Sequence, residues 1–375
     1  MKLHKALCGS RQAPQAWNAK LDKTLVALGF EKCPNEHAVY KRRKNDSNLL
    51  VGVYVDDLLI IGQKSTEVEA FKAQMKDMFS MSDLGLLSYY LGIEVSQSSE
   101  GISLCQSAYA QRIIQKAGME NCNACSTPME PKLKLSKVRT TVPVDSTEFR
   151  SIVGSLRYLV HTRPDICHAV GIVSCYMENP TTEHMAAVKH ILRYVLGSLN
   201  LGCYYKRKKS TKPQLIGYCD SDMGGDVDDR KSTSGVIFYL GENPISWVSQ
   251  KQKVVALSTC EAEYFAATSA ACQGVWLSRL LGDLLDEEPK TAILKVDNQF
   301  AISLSKNPVF HDRSKHIHVR YHFARECVET EKISVEYVRT ELQLADILTK
   351  ALGRVRFLEI REKIGMENAG KMQQA

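Results

Sequence analysis

Apolar residues recur at helical spacing between Gln15 and Phe30, with Trp17, Leu21, Leu25 and Leu28 on one face and Gly29 at the end. That pattern predicts an amphipathic helix. A polar, basic stretch over residues 40–48 follows, and the chain then becomes apolar over 49–55 and 58–62 with Asp56-Asp57 between the two runs. This predicts a buried hairpin with carboxylates at its tip. A helix over 66–79, a second hairpin over 89–95 and 101–105 and a helix near 109–116 come next, and a Pro- and Lys-containing connector runs from Ser126 to Pro143. Between Ser146 and Ser198 the apolar period is helical throughout, with Val153, Leu156, Leu159 and Val160 on one face and Val188, Ile191, Leu192, Val195 and Leu196 on another, so an all-helical module is expected.

After Pro213 the period changes. Short apolar runs over 215–219, 235–240, 245–249 and 254–257, separated by turn residues, predict an antiparallel meander. Ser258-Thr259-Cys260-Glu261 has the form of a capping box, so a helix should start there and run towards Leu285. A strand over 293–296, a helix to Ser305, a helix carrying Ile317, Tyr321, Ala324 and Val328, a strand over 333–338 and a last helix over 342–352 complete the pattern.

Carboxylates sit at the ends of these elements: Asp220 after the first strand, Glu263 in the first turns of the helix, Asp297 after a later strand and Asp346 on the last helix. In mixed sheets ligands gather beyond the carboxyl ends of strands. Four acids collected there would repel one another unless cations lay between them, and hard oxygen donors select Mg²⁺ or Mn²⁺. Two such ions can activate a water and stabilise the leaving oxygen of a phosphodiester, which is nuclease chemistry. Glu261 occupies the position that reaches back to the cap amide, so Glu263 is the candidate ligand and Glu261 is not. Taken singly, any of these acids reads equally as a solvated or capping group; the set of four in this order of elements favours a site.

Tyr218-Cys219-Asp220-Ser221-Asp222, Asp228-Asp229-Arg230-Lys231-Ser232-Thr233-Ser234-Gly235, Ala256-Leu257-Ser258-Thr259-Cys260-Glu261-Ala262-Glu263-Tyr264, Lys315-His316-Ile317 and Ala345-Asp346-Ile347-Leu348-Thr349-Lys350 resemble the ribonuclease H domain of copia-class retrotransposon Pol polyproteins. The resemblance implies that Asp220, Glu263, Asp297 and Asp346 bind two Mg²⁺ (or Mn²⁺) ions and hydrolyse the RNA strand of an RNA–DNA hybrid recognised through its backbone, with Asp222 in a supporting place. The family carries an acidic residue where this chain has His318. His318 and His322 form an i, i+4 pair that could bind zinc in principle, but with only His311 and His316 nearby the reading is of a histidine at a helix start.

Two adjacent carboxylates on an apolar hairpin are costly to desolvate unless a cation receives them. Leu7-Cys8-Gly9-Ser10-Arg11-Gln12-Ala13-Pro14-Gln15-Ala16-Trp17, Tyr54-Val55-Asp56-Asp57 and Tyr89-Tyr90-Leu91-Gly92-Ile93-Glu94-Val95 are similar, in this order, to motifs of the copia-class reverse transcriptase. The connector and helical module resemble the same polyprotein through Val153-Gly154-Ser155-Leu156-Arg157-Tyr158, Thr162-Arg163-Pro164-Asp165-Ile166 and His190-Ile191-Leu192-Arg193-Tyr194-Val195. The resemblance implies that Asp56 and Asp57 are two of three metal-binding carboxylates for nucleotidyl transfer, with Gln12 near the incoming nucleotide. The third belongs to an upstream strand that this sequence does not contain, and neither Asp22 nor Asp46 can replace it, so RNA-directed DNA polymerase activity is expected to be lost. The fold expected is multidomain α+β: a partial reverse-transcriptase palm with a fingers remnant over 1–128, a helical thumb or connection and linker over 129–212, an α/β ribonuclease H-like fold over 213–352 and a tail over 353–375. Two other readings stay open, a non-catalytic nucleic-acid-binding relic and a polymerase completed by a longer partner.

The chain has 375 residues, 44% hydrophobic and 24% charged, enough for about two to three domains and against a disordered or fibrous class. No signal-like or membrane-spanning run is present, which predicts no membrane partner and an intracellular, cytoplasmic or nuclear, location rather than secretion. The net charge of +7 permits a nucleic-acid backbone as partner without demanding it. Lys41-Arg42-Arg43-Lys44 and Lys206-Arg207-Lys208-Lys209 could track phosphates, though a charge run reads first as a solvated loop. The 12 cysteines are scattered and read as free thiols, and Cys122-Asn123-Ala124-Cys125 has no second pair to make a zinc site. Trp17, Trp247 and Trp276 fall in apolar patterns that fit core packing better than base stacking.

Overall fold

The computed structural model describes residues 11–44, 47–138, 141–207, 213–306 and 318–369, with side chains from 322 onward in the last stretch. The chain divides into two compact units, Met1–Leu86 with Trp276–Lys290, and Leu87–Val275 with Thr291–Ala375. Among the described residues no helix is long and apolar enough to cross a membrane.

In the smaller unit the first helix, α1 (Ala13–Ala27), has proline in its first turn, where a missing N–H costs nothing. It stops at Gly29, whose φ of +82° lets the Gly29 amide reach the Val26 carbonyl and the Phe30 amide reach the Leu25 carbonyl, both at 3.0 Å. Its face of Leu21 and Leu25 packs with Phe30, Tyr40, Leu49, Val51 and Phe71. Strands β1 (Glu31–Lys32), β2 (Val39–Lys44), β3 (Ser47–Tyr54) and β4 (Asp57–Gly62) form one sheet in that order, and α2 (Ser65–Met78) follows. The hairpin expected to be buried is only half so: β3 alternates buried and partly exposed positions, whereas β4 buries none. The reason is its place at the sheet edge, with a partner on one side only.

The larger unit holds two five-stranded sheets. One is built from β5 (Tyr89–Tyr90), β6 (Ile93–Gln97), β7 (Gly101–Cys105), β8 (Leu201–Lys206) and β14 (Met366–Asn368), in the order β14-β8-β7-β6-β5. The stretch 146–198, expected to be wholly helical, is so, and β8 follows it at Leu201; the tail contributes both a helix, α10 (Arg354–Lys363), and a strand to folded structure. Helices α3 (Ser107–Lys116), α4 (Ser146–Leu159), α5 (Cys167–Ser174) and α6 (Thr182–Leu196) pack with this sheet. Their core runs without a break into Ile237, Tyr239, Ala345, Ile347 and Leu348, across the sequence boundary expected near residue 212. A buried ion pair lies within it: Arg163 forks onto Asp165 through Nε and Nη2 at 2.9 Å each, and Tyr194 donates to the same carboxylate at 2.6 Å.

The other sheet has the order β11-β10-β9-β12-β13, from β9 (Leu215–Ser221), β10 (Thr233–Leu240), β11 (Asn243–Lys251), β12 (Ala292–Val296) and β13 (Ile333–Tyr337). The first three are antiparallel, and β12 and β13 run parallel to β9. Helices α7 (Thr259–Leu285), α8 (Gln299–Lys306) and α9 (His318–Glu329) complete the order. The strand expected over 254–257 is a loop, and the last helix expected over 342–352 is two short 3₁₀ turns, Thr340–Leu342 and Leu344–Leu348.

Candidate metal centre

The parallel pairing of β9 and β12 sets the position of two acids. Tyr218 lies opposite Lys295, so two residues on, Asp220 comes level with Asp297 at the carboxyl ends of the two strands. The third acid comes from the start of α7. Ser258 Oγ accepts from the Glu261 amide at 3.2 Å, and Glu261 Oε2 accepts from the Leu257 amide at 2.6 Å, so Glu261 is spent on the helix end. Glu263 projects elsewhere: its Oε1 accepts from the Ser221 amide at 3.3 Å, and its Oε2 is buried without a hydrogen-bond partner among the described residues. One ligand atom from each of Asp220, Glu263 and Asp297 lies within 4.8 Å of the others.

Asp346 arrives on the second 3₁₀ turn. Gly235, paired with Asp220 across β9 and β10, makes room for it: a Cβ at Gly235 would lie 2.7 Å from Leu348 Cβ and Thr349 Cγ2. Buried Gln343 pins the turn by donating from Nε2 to the Cys219 carbonyl at 2.9 Å. Thr349 donates its hydroxyl to Asp220 Oδ2. Lys350 Nζ sits 2.7 Å from Asp346 Oδ1 and 3.7 Å from Asp220 Oδ2, and Arg356 Nη2 is 3.5 Å from Asp346 Oδ2. Thr340 Oγ1 donates to Asp297 Oδ2 at 3.0 Å. Gln343, Thr349, Lys350 and Arg356 were absent from the sequence-based candidates, and the only signal for two of them was the Thr349-Lys350 that ends the last motif.

Burial and mutual repulsion favour the protonated form of Glu263 and, less strongly, of Asp220. Burial, then the charges of Asp220 and Asp297, pushes Glu263 up to about 9. Burial also raises Asp220 to about 6, against the pull of Lys350 and the Thr349 hydroxyl. A buried carboxylate oxygen with no donor, beside two further carboxylates, is the donor set a hard divalent cation fits. Asp222 stands apart from the three, accepting from the Thr233 amide between β9 and β10.

The other sequence candidates do not join this centre. Asp56 and Asp57 are exposed at the β3–β4 turn, and no third His, Cys, Asp or Glu gathers with them among the described residues. Val55, just before them, has a φ of +54°, rare for a β-branched residue, and its carbonyl accepts from Trp17 Nε1 at 2.7 Å. Gln12 is exposed at the start of α1. His311 and His316, the His318 side chain, and Lys208 and Lys209 lie outside the described residues. In the other basic run, Arg42 lies over the Phe30 ring at 4.6 Å and donates to the Leu28 carbonyl at 3.1 Å, which is packing rather than a free phosphate-binding surface. All the cysteines of the described residues are free.

A reverse transcriptase (RNA-dependent DNA polymerase) family model matches residues 1–131. The retrovirus-related Pol polyprotein from transposon RE1 of Arabidopsis thaliana is 41% identical over 97% of this chain and 25% of its own length. The putative transposon Ty5-1 protein of Saccharomyces cerevisiae is 30% identical over 72% of this chain and 89% of its own. Among solved structures, the N-terminal RNase H domain of a Mycobacterium tuberculosis protein, fused to maltose-binding protein, aligns with 40% of this chain and 98% of that one, at 13% identity and a TM-score of 0.28. The chain spans about a quarter of the length of the Pol polyproteins it matches.

Proposed function

The chain belongs to the copia-type retrotransposon Pol polyproteins, and from that premise we propose that its larger unit hydrolyses the RNA strand of RNA–DNA hybrids with a divalent metal. The observation that carries this reading is the convergence of Asp220, Glu263 and Asp297 within 4.8 Å, with a buried glutamate oxygen left unpartnered. Asp220, Glu263 and Asp297, with Asp346 beside them, would hold Mg²⁺ or Mn²⁺, two ions in all. When bound, that charge supplies water activation and stabilisation of the departing oxygen.

The chain's own groups do the rest. Thr349 and Lys350 orient Asp220, and Thr340 orients Asp297. Arg356 and Lys350 hold Asp346 in a fixed direction, and their positive charge beside the acids would offset negative charge brought by a scissile phosphate. Closely spaced acids favour an anionic substrate only once cations are present, so binding of the scissile phosphate is coupled to metal. Recognition of the hybrid is by backbone and 2′-hydroxyl groups rather than by sequence.

Asp56 and Asp57 lie exposed without a third acid among the described residues, so this chain alone is not expected to extend a primer. The test is incubation of purified protein with an RNA-labelled hybrid and Mg²⁺ beside an Asp297→Asn variant. Cleavage by the parent that is lost in the variant is expected. Binding without cleavage by either protein would favour the non-catalytic reading, and equal cleavage by both would sink the site assignment.

A further inference from the structure

Glu263 reaches the acidic centre from a helix that begins after an open loop. That loop joins β11 to α7, and of residues 253–259 all but Ala256 are exposed. Ala256 aside, the loop offers no buried side chain to hold the first turn of α7 against the sheet. Gln252, the residue just before it, is 7% exposed and makes the missing connections. Its backbone N–H donates to the Ser232 carbonyl at 2.7 Å. Its side-chain Nε2 faces three groups at once: the Ala262 carbonyl at 2.9 Å, Ser234 Oγ at 2.9 Å and Ser221 Oγ at 3.1 Å. These belong to α7, β10 and β9.

The direction of this amide is fixed by its partners. A carbonyl only accepts, so Ala262 requires the nitrogen, and the Ser221 hydroxyl already gives its proton to the Asp222 carbonyl at 2.9 Å. Oε1 is thereby left buried without a donor among the described residues. An apolar side chain of the same length would avoid that cost, so the nitrogen's contacts, rather than packing, account for an amide here. The groups it joins flank the acids. Ala262 precedes Glu263, Ser221 follows Asp220, and Ser234 precedes Gly235, the strand partner of Asp220. The Ser221 amide is also the donor to Glu263 Oε1 at 3.3 Å.

We infer that Gln252 is a positioning residue for the metal centre: its amide nitrogen ties the first turn of α7 to β9 and β10 and so holds the Glu263 carboxylate within reach of Asp220 and Asp297. That nitrogen is spent on two serines and a carbonyl, so Gln252 acts on the cation through Glu263 and not as a ligand. The inference rests on the reading of the three acids as a divalent-cation site. A glutamate side chain is long and rotatable, whereas Mg²⁺ demands near-ideal octahedral geometry, so a small displacement at the helix start costs affinity. Groups that orient ligands in this way are worth about ten- to a hundredfold in metal binding.

The test is a double-mutant cycle in Mn²⁺ affinity, measured on the full chain by electron paramagnetic resonance, with the parent, Gln252→Met, Glu263→Gln and the two together. Methionine has the length of glutamine without the amide. Gln252→Met should weaken Mn²⁺ binding at least about tenfold in the parent and leave it unchanged beside Glu263→Gln, where the carboxylate it positions is already gone. A residue that only held the fold together would lower affinity alike in both backgrounds. That result, or no loss in either, would overturn the inference. Should Gln252→Met not fold, Ser221→Ala removes one partner of the amide, keeps the Ser221 backbone donor, and should show the same pattern in its own cycle. If the parent itself binds no Mn²⁺, the metal reading fails and the inference with it; if the parent binds and the losses are equal, the inference alone fails.

Discussion

In metal-free protein, Glu263→Gln should raise the stability of the larger unit, and by an amount that depends on pH. Glu263 is 7% exposed and is pushed from 4.5 to about 9, first by burial and then by Asp220 and Asp297. The native state therefore keeps a proton that the unfolded chain gives up near pH 4.5. Stability from this group is complete below about pH 4.5 and is lost as pH rises towards 9, at up to about 1.36 kcal/mol per pH unit. By pH 7 the loss is about 3 kcal/mol. Glutamine keeps the shape and cannot ionise, so the variant should match the parent near pH 4.5 and exceed it by about 3 kcal/mol at pH 7. Hydrogen exchange of peptides from β9 reads opening of this unit by itself, and taking parent against variant at each pH cancels the intrinsic exchange rate. Saturating Mg²⁺ should reverse the order, because binding requires the carboxylate. The same pH dependence in both proteins would refute the claim that Glu263 is held protonated by its acidic neighbours.

Three further outcomes follow from other parts of the fold. Val55→Gly should stabilise the smaller unit by about 1 kcal/mol, because glycine takes the +54° φ without strain; unchanged thermal melting would count against it. Arg163→Met should cost the larger unit about 3–5 kcal/mol by leaving Asp165 charged and buried, and denaturant titration that shows a smaller loss than Asp165→Asn/Arg163→Met together would contradict this. Glu261→Ala should cost about 1 kcal/mol through the α7 cap while leaving RNA cleavage intact, a separation that assays of stability and cleavage check side by side.

Much of this architecture was legible in the chain. The 3.6-residue period and Gly29 marked α1, and the change of period after Pro213 marked the β9–β11 meander. Glu261 reaches back to the helix start as expected, though onto the Leu257 amide rather than that of the Ser258 cap, and Glu263 turns instead to the Ser221 amide. What was not legible depends on distant pairing. β8 and β14 are short, lie 160 residues apart in sequence and pair with each other, so neither carries a local period strong enough to announce a strand. The loop over 254–257 has strand-like composition but pairs with no strand among the described residues; it links β11, which ends at Lys251, to α7, which begins at Thr259. The 3₁₀ turn holding Asp346 is fixed by Gln343 on the Cys219 carbonyl and by the space at Gly235, contacts between residues more than a hundred positions apart. Lys350 and Arg356 became visible as partners of Asp346 only once that turn was in place.

The central claim is that Asp220, Glu263 and Asp297 are a cation site rather than a buried cluster of structural acids. Titration of Mn²⁺ followed by electron paramagnetic resonance tests it most directly, in the parent, Glu263→Gln and Glu261→Gln. The account predicts that the parent and Glu261→Gln bind Mn²⁺ alike and that Glu263→Gln weakens binding at least about tenfold, a loss of about 1.4 kcal/mol. Equal Mn²⁺ binding by all three proteins would contradict it.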